Sequence, residues 1–319
     1  MSIKAALVLF VSIWVAQATA QNFPNKPVHL VVPLTPGSGA DITARILSKK
    51  LQELWGQPVL IDNRPGAGGQ IGSQLVAKAA PDGYTLLVQS SSHAANPAIY
   101  KTLPYDPTRD FIEIALLAYT PYVMVGSSTG PFKSLQDIVT AAKASPGALP
   151  YASAGIGTST HLTAELFAQR AGVKVLHVPF KGSPDAITDV IGGRSAFYMA
   201  PLPTVAGMLK DGRIVALAVT SEKRVERLVG VPTIAESGLA GFKADLWFGL
   251  WAPAGVPAEV IAKIATDINR ALQSDEVKEQ YAKAGNEVRA LTPTEFARFV
   301  RDEMATNKTL VQNAGIQPE

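Results

Sequence analysis

Short β-branched runs alternate with longer amphipathic runs along this chain, and glycine- or hydroxyl-rich connections follow several of the short runs. That alternation is the strongest constraint on its fold. Parallel strands need a crossover long enough to hold a helix, so the pattern specifies an α/β protein with largely parallel sheet. Residues 28–32 read as a strand. Residues 41–55 read as a helix, with Leu47, Leu51 and Leu54 spaced by four and three, and Gly56 as its stop. Strands are predicted at 59–61 and 84–89, with a Gly-rich loop at 65–69 and a helix to residue 80 between them.

The nearly uncharged run 111–125 reads as a strand crossing between two lobes, and 245–251 as the return crossing. Between them, Ser134 opens a helix with Asp137 as its capping-box partner. Strand ending at 151–153, helix 161–170, strand 173–178, helix 184–191 and strand 214–220 follow. The C-terminal part reads as helices 257–273, 275–284 and 294–313. The expected division is 21–123 plus 245–319 for lobe 1 and 124–244 for lobe 2.

One internal similarity stands out. Val31-Val32-Pro33-Leu34-Thr35-Pro36-Gly37-Ser38-Gly39 leads into a helix that ends at Gly56 and is followed by a strand. Tyr151-Ala152-Ser153-Ala154-Gly155-Ile156-Gly157-Thr158 leads into a helix that ends at Gly172 and is followed by a strand. Two lobes, each aiming a glycine-lined helix N-terminus outward, is the architecture this implies.

The 319 residues are 47% hydrophobic and 17% charged, which excludes a disordered chain. Lys and Arg total 29 against 26 Asp and Glu, with no basic block, so nucleic acid is not an expected partner. Cysteine is absent, which removes thiol catalysis, disulfides and Cys-ligated zinc. At the N-terminus Lys4 precedes an uncharged run from Ala5 to Ala16, and Ala18-Thr19-Ala20 has the small-x-small form of a cleavage site. The run is about 12 residues where a membrane span needs about 20. Residues 1–20 therefore read as a signal peptide cleaved after Ala20, which places the protein in the periplasm.

The chemical motifs are mostly exclusions. The dinucleotide fingerprint fails because its third glycine would fall on Ile42 or Ile71, and no Gly-Lys pair exists for a phosphate loop. G-x-S-x-G and H-E-x-x-H are absent, so no metal or other cofactor is expected. Ser153 and His161 are close enough in sequence to meet, as a nucleophile and base or as ordinary pocket and cap residues. What remains is anion recognition: a helix N-terminus carries unpaired N–H groups and about +0.5 of a charge, and glycine lets a ligand approach the backbone. Gly37, Ser38 and Gly39, then Gly157, Thr158 and Ser159, then Ser90, Ser91 and Ser92 after a strand, supply three such donor clusters.

Taken in order, several segments resemble a known family, the Bug-type periplasmic substrate-binding proteins of tripartite tricarboxylate transporters. They include Pro24-Asn25-Lys26-Pro27-Val28, Pro36-Gly37-Ser38-Gly39-Ala40-Asp41, Asn63-Arg64-Pro65-Gly66-Ala67-Gly68-Gly69 and Pro81-Asp82-Gly83-Tyr84. Leu103-Pro104-Tyr105-Asp106-Pro107, His177-Val178-Pro179-Phe180-Lys181-Gly182 and Ala252-Pro253-Ala254-Gly255 continue the match. The resemblance implies a type II periplasmic binding-protein fold: two α/β lobes joined by crossing strands, with a ligand cleft that closes on a small carboxylate.

It also implies a monomer, not an enzyme, delivering a dicarboxylate or aromatic acid to membrane transporter subunits encoded by other chains. The implied ligand contacts are Pro36, Gly37, Ser38, Gly39 and Asp41, then Ser90, Ser91 and Asn96 in the loop after the third strand. From the opposite lobe come Ser153, Gly157, Thr158, Ser159, His161 and Lys181. Phe180 stands where the family usually has Tyr, and Gly37-Ser38 where it usually has two glycines. Two other functions fit the residues: a ligand-sensing subunit for a membrane histidine kinase, and a periplasmic serine hydrolase built on Ser153 and His161.

Overall fold

A computed structural model describes residues 23–313; the signal-peptide reading of residues 1–20 lies outside them. The first half starts as anticipated. β1 (Val28–Val32) feeds α1 (Gly39–Trp55), where Ser38 caps the helix by accepting from the Asp41 amide at 3.3 Å. Gly56 ends α1 at φ 63°, a left-handed conformation that suits glycine. β2 (Val59–Asn63), α2 (Gln70–Ala77) and β3 (Thr85–Ser90) follow, and β1 pairs in parallel with both β2 and β3.

Three elements go beyond the sequence reading. Residues 91–99 are not a loop: Ser92–Ile99 form a helix, α3, despite Pro97 inside it. The fold holds this short helix by burying Ala94, Ala95 and Ile99, which outweighs a weak local propensity. β4 (Phe111–Ser127) then runs into the second half, where α4 (Leu135–Ala144) carries the capping box of Ser134 and Asp137. β5 (Pro150–Ser153), α5 (Ser159–Ala171), β6 (Leu176–Pro179) and α6 (Ser183–Ile191) repeat the strand–helix–strand plan. The remaining two unanticipated elements are β7 (Phe197–Pro201) and α7 (Leu202–Lys210). β8 (Ile214–Val219) and β9 (Asp245–Pro253) complete the strands.

The strand predicted at 173–178 is shorter than expected. The Val173 amide closes the end of α5 by donating to the Ala168 carbonyl, and the Lys174 carbonyl accepts from Gly147, so pairing starts only at Leu176.

The described strands form a nine-stranded sheet in the order β2-β1-β3-β9-β4-β7-β5-β6, with β8 also on β4. β4 is the pivot. Residues 111–121 pair antiparallel with β9, and from Tyr122 onward the same strand pairs with β7 and β8. The halves are built alike: β2-β1-β3 in one corresponds to β6-β5-β7 in the other. β9 then brings the chain back beside β3.

The last helices, α8 (Ala258–Gln273), α9 (Asp275–Ala284) and α10 (Pro293–Asn313), cover the first half. Trp55 Nε1 donates to Asp267 at 2.7 Å, and Tyr281 Oη to the Thr43 carbonyl at 3.2 Å. A continuous core runs from Leu30, Leu47 and Ile264 through Leu117 and Tyr122 to Phe167 and Phe197.

Candidate functional site

Parallel strands deliver their helices with N-termini at the carboxyl edge of the sheet, and here both halves direct that edge inward. The N-termini of α1, α3, α5 and α6 converge on one small cavity. Its polar lining is Ser38, Ser90, Ser92, Thr158, Ser159, Thr160 and Ser183, with glycine at 39 and 182. Leu34, Pro201, Leu246 and Phe248 close it with apolar surface. No charged side chain is in the lining. Each helix leaves its first N–H groups without intrahelical partners and adds about half a positive charge, so the cavity favours an anion without containing a cation.

The two halves touch across this cavity. The Ser159 amide donates to Ser92 Oγ at 2.9 Å, and Tyr100 Oη donates to the Ile156 carbonyl at 2.9 Å. Gly182 lies against the Thr35 side chain and Gly37 faces Pro184. The cavity volume of about 20 Å³ has room for about one water. This is a closed arrangement. Gly39 lets the start of α1 pack on β9 within the first half: a Cβ there would come within 2.7 Å of the Phe248 ring.

Of the residues singled out in the sequence, Ser38, Gly39, Ser90, Thr158 and Ser159 line the cavity. Pro36 and Gly37 are exposed, as is Lys181, and none of the three is in the lining. Asp41 is buried behind the loop. Its carboxylate accepts from the Gly37 amide (2.9 Å), Arg45 Nε (2.9 Å) and Asn63 Nδ2 (3.0 Å), which cinches residues 34–41 into place. That carboxylate holds the Arg45 guanidinium above its ordinary pKa. Asn96 is buried, donating to Tyr105 Oη at 3.2 Å, and Ser91 lies on the far side of β9. Ser92, read from the sequence as part of the Ser90–Ser92 donor cluster, lines the cavity too, and Thr160, Gly182 and Ser183 are lining residues outside the implied ligand contacts. Gly182-Ser183-Pro184 is a helix-start pattern that could have drawn attention to two of them.

Ser153 does meet a histidine, but it is His177, at 2.6 Å between Oγ and Nε2. His161 stacks on His177 with ring centroids 4.1 Å apart and accepts from the Gly157 amide through Nδ1 at 3.4 Å. Burial lowers His161 to about 4. Burial, with help from His161, lowers His177 to about 3. Ser153 is fully buried and its Oγ also accepts from the Gly155 amide. These groups brace the loop before α5; they are not a nucleophile presented to solvent. Thr158 Oγ1 adds a bond to the Gly155 carbonyl, and Thr160 Oγ1 accepts from Ala154.

The tripartite tricarboxylate transporter family receptor, TctC, matches residues 43–316. The chain belongs to the TctC family. BugT of Bordetella pertussis is 36% identical over 302 residues, covering 94% of this chain and 93% of its own. Among solved structures, R. palustris Rpa4515 with adipate superposes with a TM-score of 0.90 at 34% identity, covering 93% of this chain and all of that one. MatC from Rhodopseudomonas palustris, with bound malate, gives 0.86 at 30% identity over 91% of this chain and all of that one. The periplasmic binding protein BugD superposes with a TM-score of 0.88 at 30% identity over 93% of this chain and all of that one, and the TctC family protein described here shares this two-lobed fold. The family consists of substrate-binding proteins, which settles the enzyme question: this TctC protein is not a hydrolase, and its Ser153–His177 contact is structural.

Proposed function

We propose that this protein is an exported receptor that captures a small carboxylate by closing its two lobes and delivers it to the membrane subunits of a tripartite tricarboxylate transporter. The observation that carries the reading is the cavity where helix N-termini from both halves meet among hydroxyls and glycines. Such a site binds a carboxylate through backbone N–H and O–H donors. The adipate and malate held by two structural relatives make dicarboxylates the first class to test.

The lobes of the proposal are residues 21–123 with 245–319, and 124–244. The change of partner along β4 at Tyr122 supports that division. The direct contacts are Ser38, Gly39, Ser90, Ser92, Thr158, Ser159, Thr160 and Ser183, with Asp41, Ser153 and His161 holding the loops behind them. A cavity that admits about one water does not admit a dicarboxylate, so entry requires the lobes to part, and closure on the ligand stops short of the closure seen here. Residues 1–20 direct export, with cleavage after Ala20, and the receptor works as a monomer in the periplasm.

A thermal-shift screen of dicarboxylates and aromatic acids tests the reading. A ligand at about 100 times its Kd adds about 2.7 kcal/mol of stability and raises the melting point. A panel including adipate and malate that leaves the melting point unmoved throughout counts against it.

A further inference from the structure

A strand alternates its side chains between the two faces of a sheet. In β9, Leu246 and Phe248 face the cleft, while Asp245 and Trp247 face the opposite side. There a separate groove of about 370 Å³ opens, within the size range of small-molecule sites. α5 supplies one wall through Leu162 and Leu166, and α10 the other through Phe299 and Glu303, with Tyr119 and Trp247 between them. The Ser92–Ser159 hydrogen bond lies between groove and cleft, for Ser92 lines the cleft and Ser159 lines both.

The groove's charges are not self-sufficient. Lys243 and Asp245 lie 3.5 Å apart and offset each other. Arg289 and Glu303 have no ion-pair partner among the described residues. The Arg289 guanidinium lies 5.3 Å from the centre of the Tyr119 ring and also hydrogen-bonds the Tyr119 side chain, and Glu303 accepts from Trp247 Nε1 at 3.0 Å. Burial, reinforced by Asp245 and Asp302, pushes the Glu303 carboxyl above its ordinary range against the pull of the Trp247 N–H. The groove thus holds a half-buried carboxyl with no cation paired to it, an exposed guanidinium with no acid paired to it, and aromatic and leucine surface around both.

We infer that this groove is a second binding site, for an apolar amino acid whose ammonium meets Glu303 and whose carboxylate meets Arg289. The planar fork of arginine suits a carboxylate, and an ammonium supplies the charge that Glu303 lacks. A plain carboxylate leaves Glu303 uncompensated, and a plain amine leaves Arg289 unused. The cleft, lined by neutral groups and helix N-termini, has no acid for an ammonium, so the two sites select different ligands.

Titration of the purified protein with L-phenylalanine and L-leucine, read by calorimetry and by the indole N–H resonance of Trp247, tests the site. At least one of the two binds at millimolar concentration or below and shifts that resonance. Removing the ammonium (3-phenylpropionate, 4-methylpentanoate) or the carboxylate (phenethylamine, isopentylamine) weakens binding about tenfold or more, the loss of one charge-assisted hydrogen bond. Glu303→Gln and Arg289→Gln each weaken it by a similar factor. No binding by either amino acid, binding that leaves the Trp247 resonance in place, or affinity indifferent to both substitutions overturns the inference. The carboxylate reading of the cleft stands apart, on the melting-point screen.

Discussion

The amide of Ser159, in the first turn of α5, donates to the hydroxyl of Ser92, in the first turn of α3, at 2.9 Å. With the Tyr100–Ile156 bond it ties the two halves directly to each other. In an open form both donors would turn to water, so these bonds favour the closed state only by their net strength, about 1 kcal/mol each. Ser92→Ala with Tyr100→Phe should therefore shift the unliganded protein toward the open form. Small-angle scattering should give a larger radius of gyration for the double variant than for the parent, and the two values should converge when ligand saturates both. Equal values without ligand would show that these bonds do not set the resting state.

Gly182 tests closure by sterics alone. Its φ of 174° is extended backbone that any residue adopts, so alanine brings no backbone strain. Its Cβ would overlap the Thr35 hydroxyl. Gly182→Ala should weaken binding of a cleft ligand by about tenfold or more, and adding Thr35→Ala should restore part of it, because the second change removes the two nearest atoms in the way and leaves only the residue 35 Cβ close by. Calorimetry on the single and double variants measures the coupling. A single variant that binds like the parent would place closure elsewhere.

Asp41 supports the cleft without lining it. Asp41→Ala removes the acceptor of the Gly37 amide, of Asn63 Nδ2 and of Arg45 Nε. A buried donor left unpaired costs about 1–3 kcal/mol, and the first two are partly covered, so a loss of about 2 kcal/mol is expected. In urea the midpoint should fall with the slope unchanged, the signature of lost stability at constant exposed surface.

Acid should loosen the fold before the carboxylates titrate. Burial lowers His93 and His161 from 6.5 to about 4 and His177, with His161 beside it, to about 3. Below pH 6.5 the unfolded chain binds protons at these sites while the folded chain does not, so stability falls as pH falls toward the folded values. Above 6.5 the imidazoles are neutral in both states and contribute no slope. The melting point should be flat above about pH 6.5 and decline between about 6.5 and 5. His177→Asn should make that decline shallower. An unchanged slope in this variant would show that His177 is already protonated in the folded protein.

Much of the architecture was legible in local pattern. α1, β4 and β9, and the helices of the C-terminal part, lie within a few residues of where periodicity and stop signals put them, because each has a long apolar stripe or run. α3 and β7 were not legible. Ser92-His93-Ala94-Ala95-Asn96-Pro97 carries polar residues and a proline in a short helix, and Phe197–Pro201 is a five-residue strand after a glycine turn. Both are held by burial against distant parts of the chain, information that no local window contains.

The same boundary divides the site. By itself the sequence determined the helix starts: a Gly-and-hydroxyl stretch after a strand makes an anion-attracting N-terminus wherever it occurs, since the cause is the backbone and the residues beside it. Only the tertiary structure decided which starts share a cavity. It set Ser92 rather than Ser91 toward the cleft, brought in Gly182 and Ser183 from α6, turned Asp41 to the rear, and gave Ser153 to His177 rather than to His161. Each of those outcomes depends on side-chain direction and on contacts between segments far apart in the chain, which follow from how β4 and β9 cross and not from spacing along the sequence.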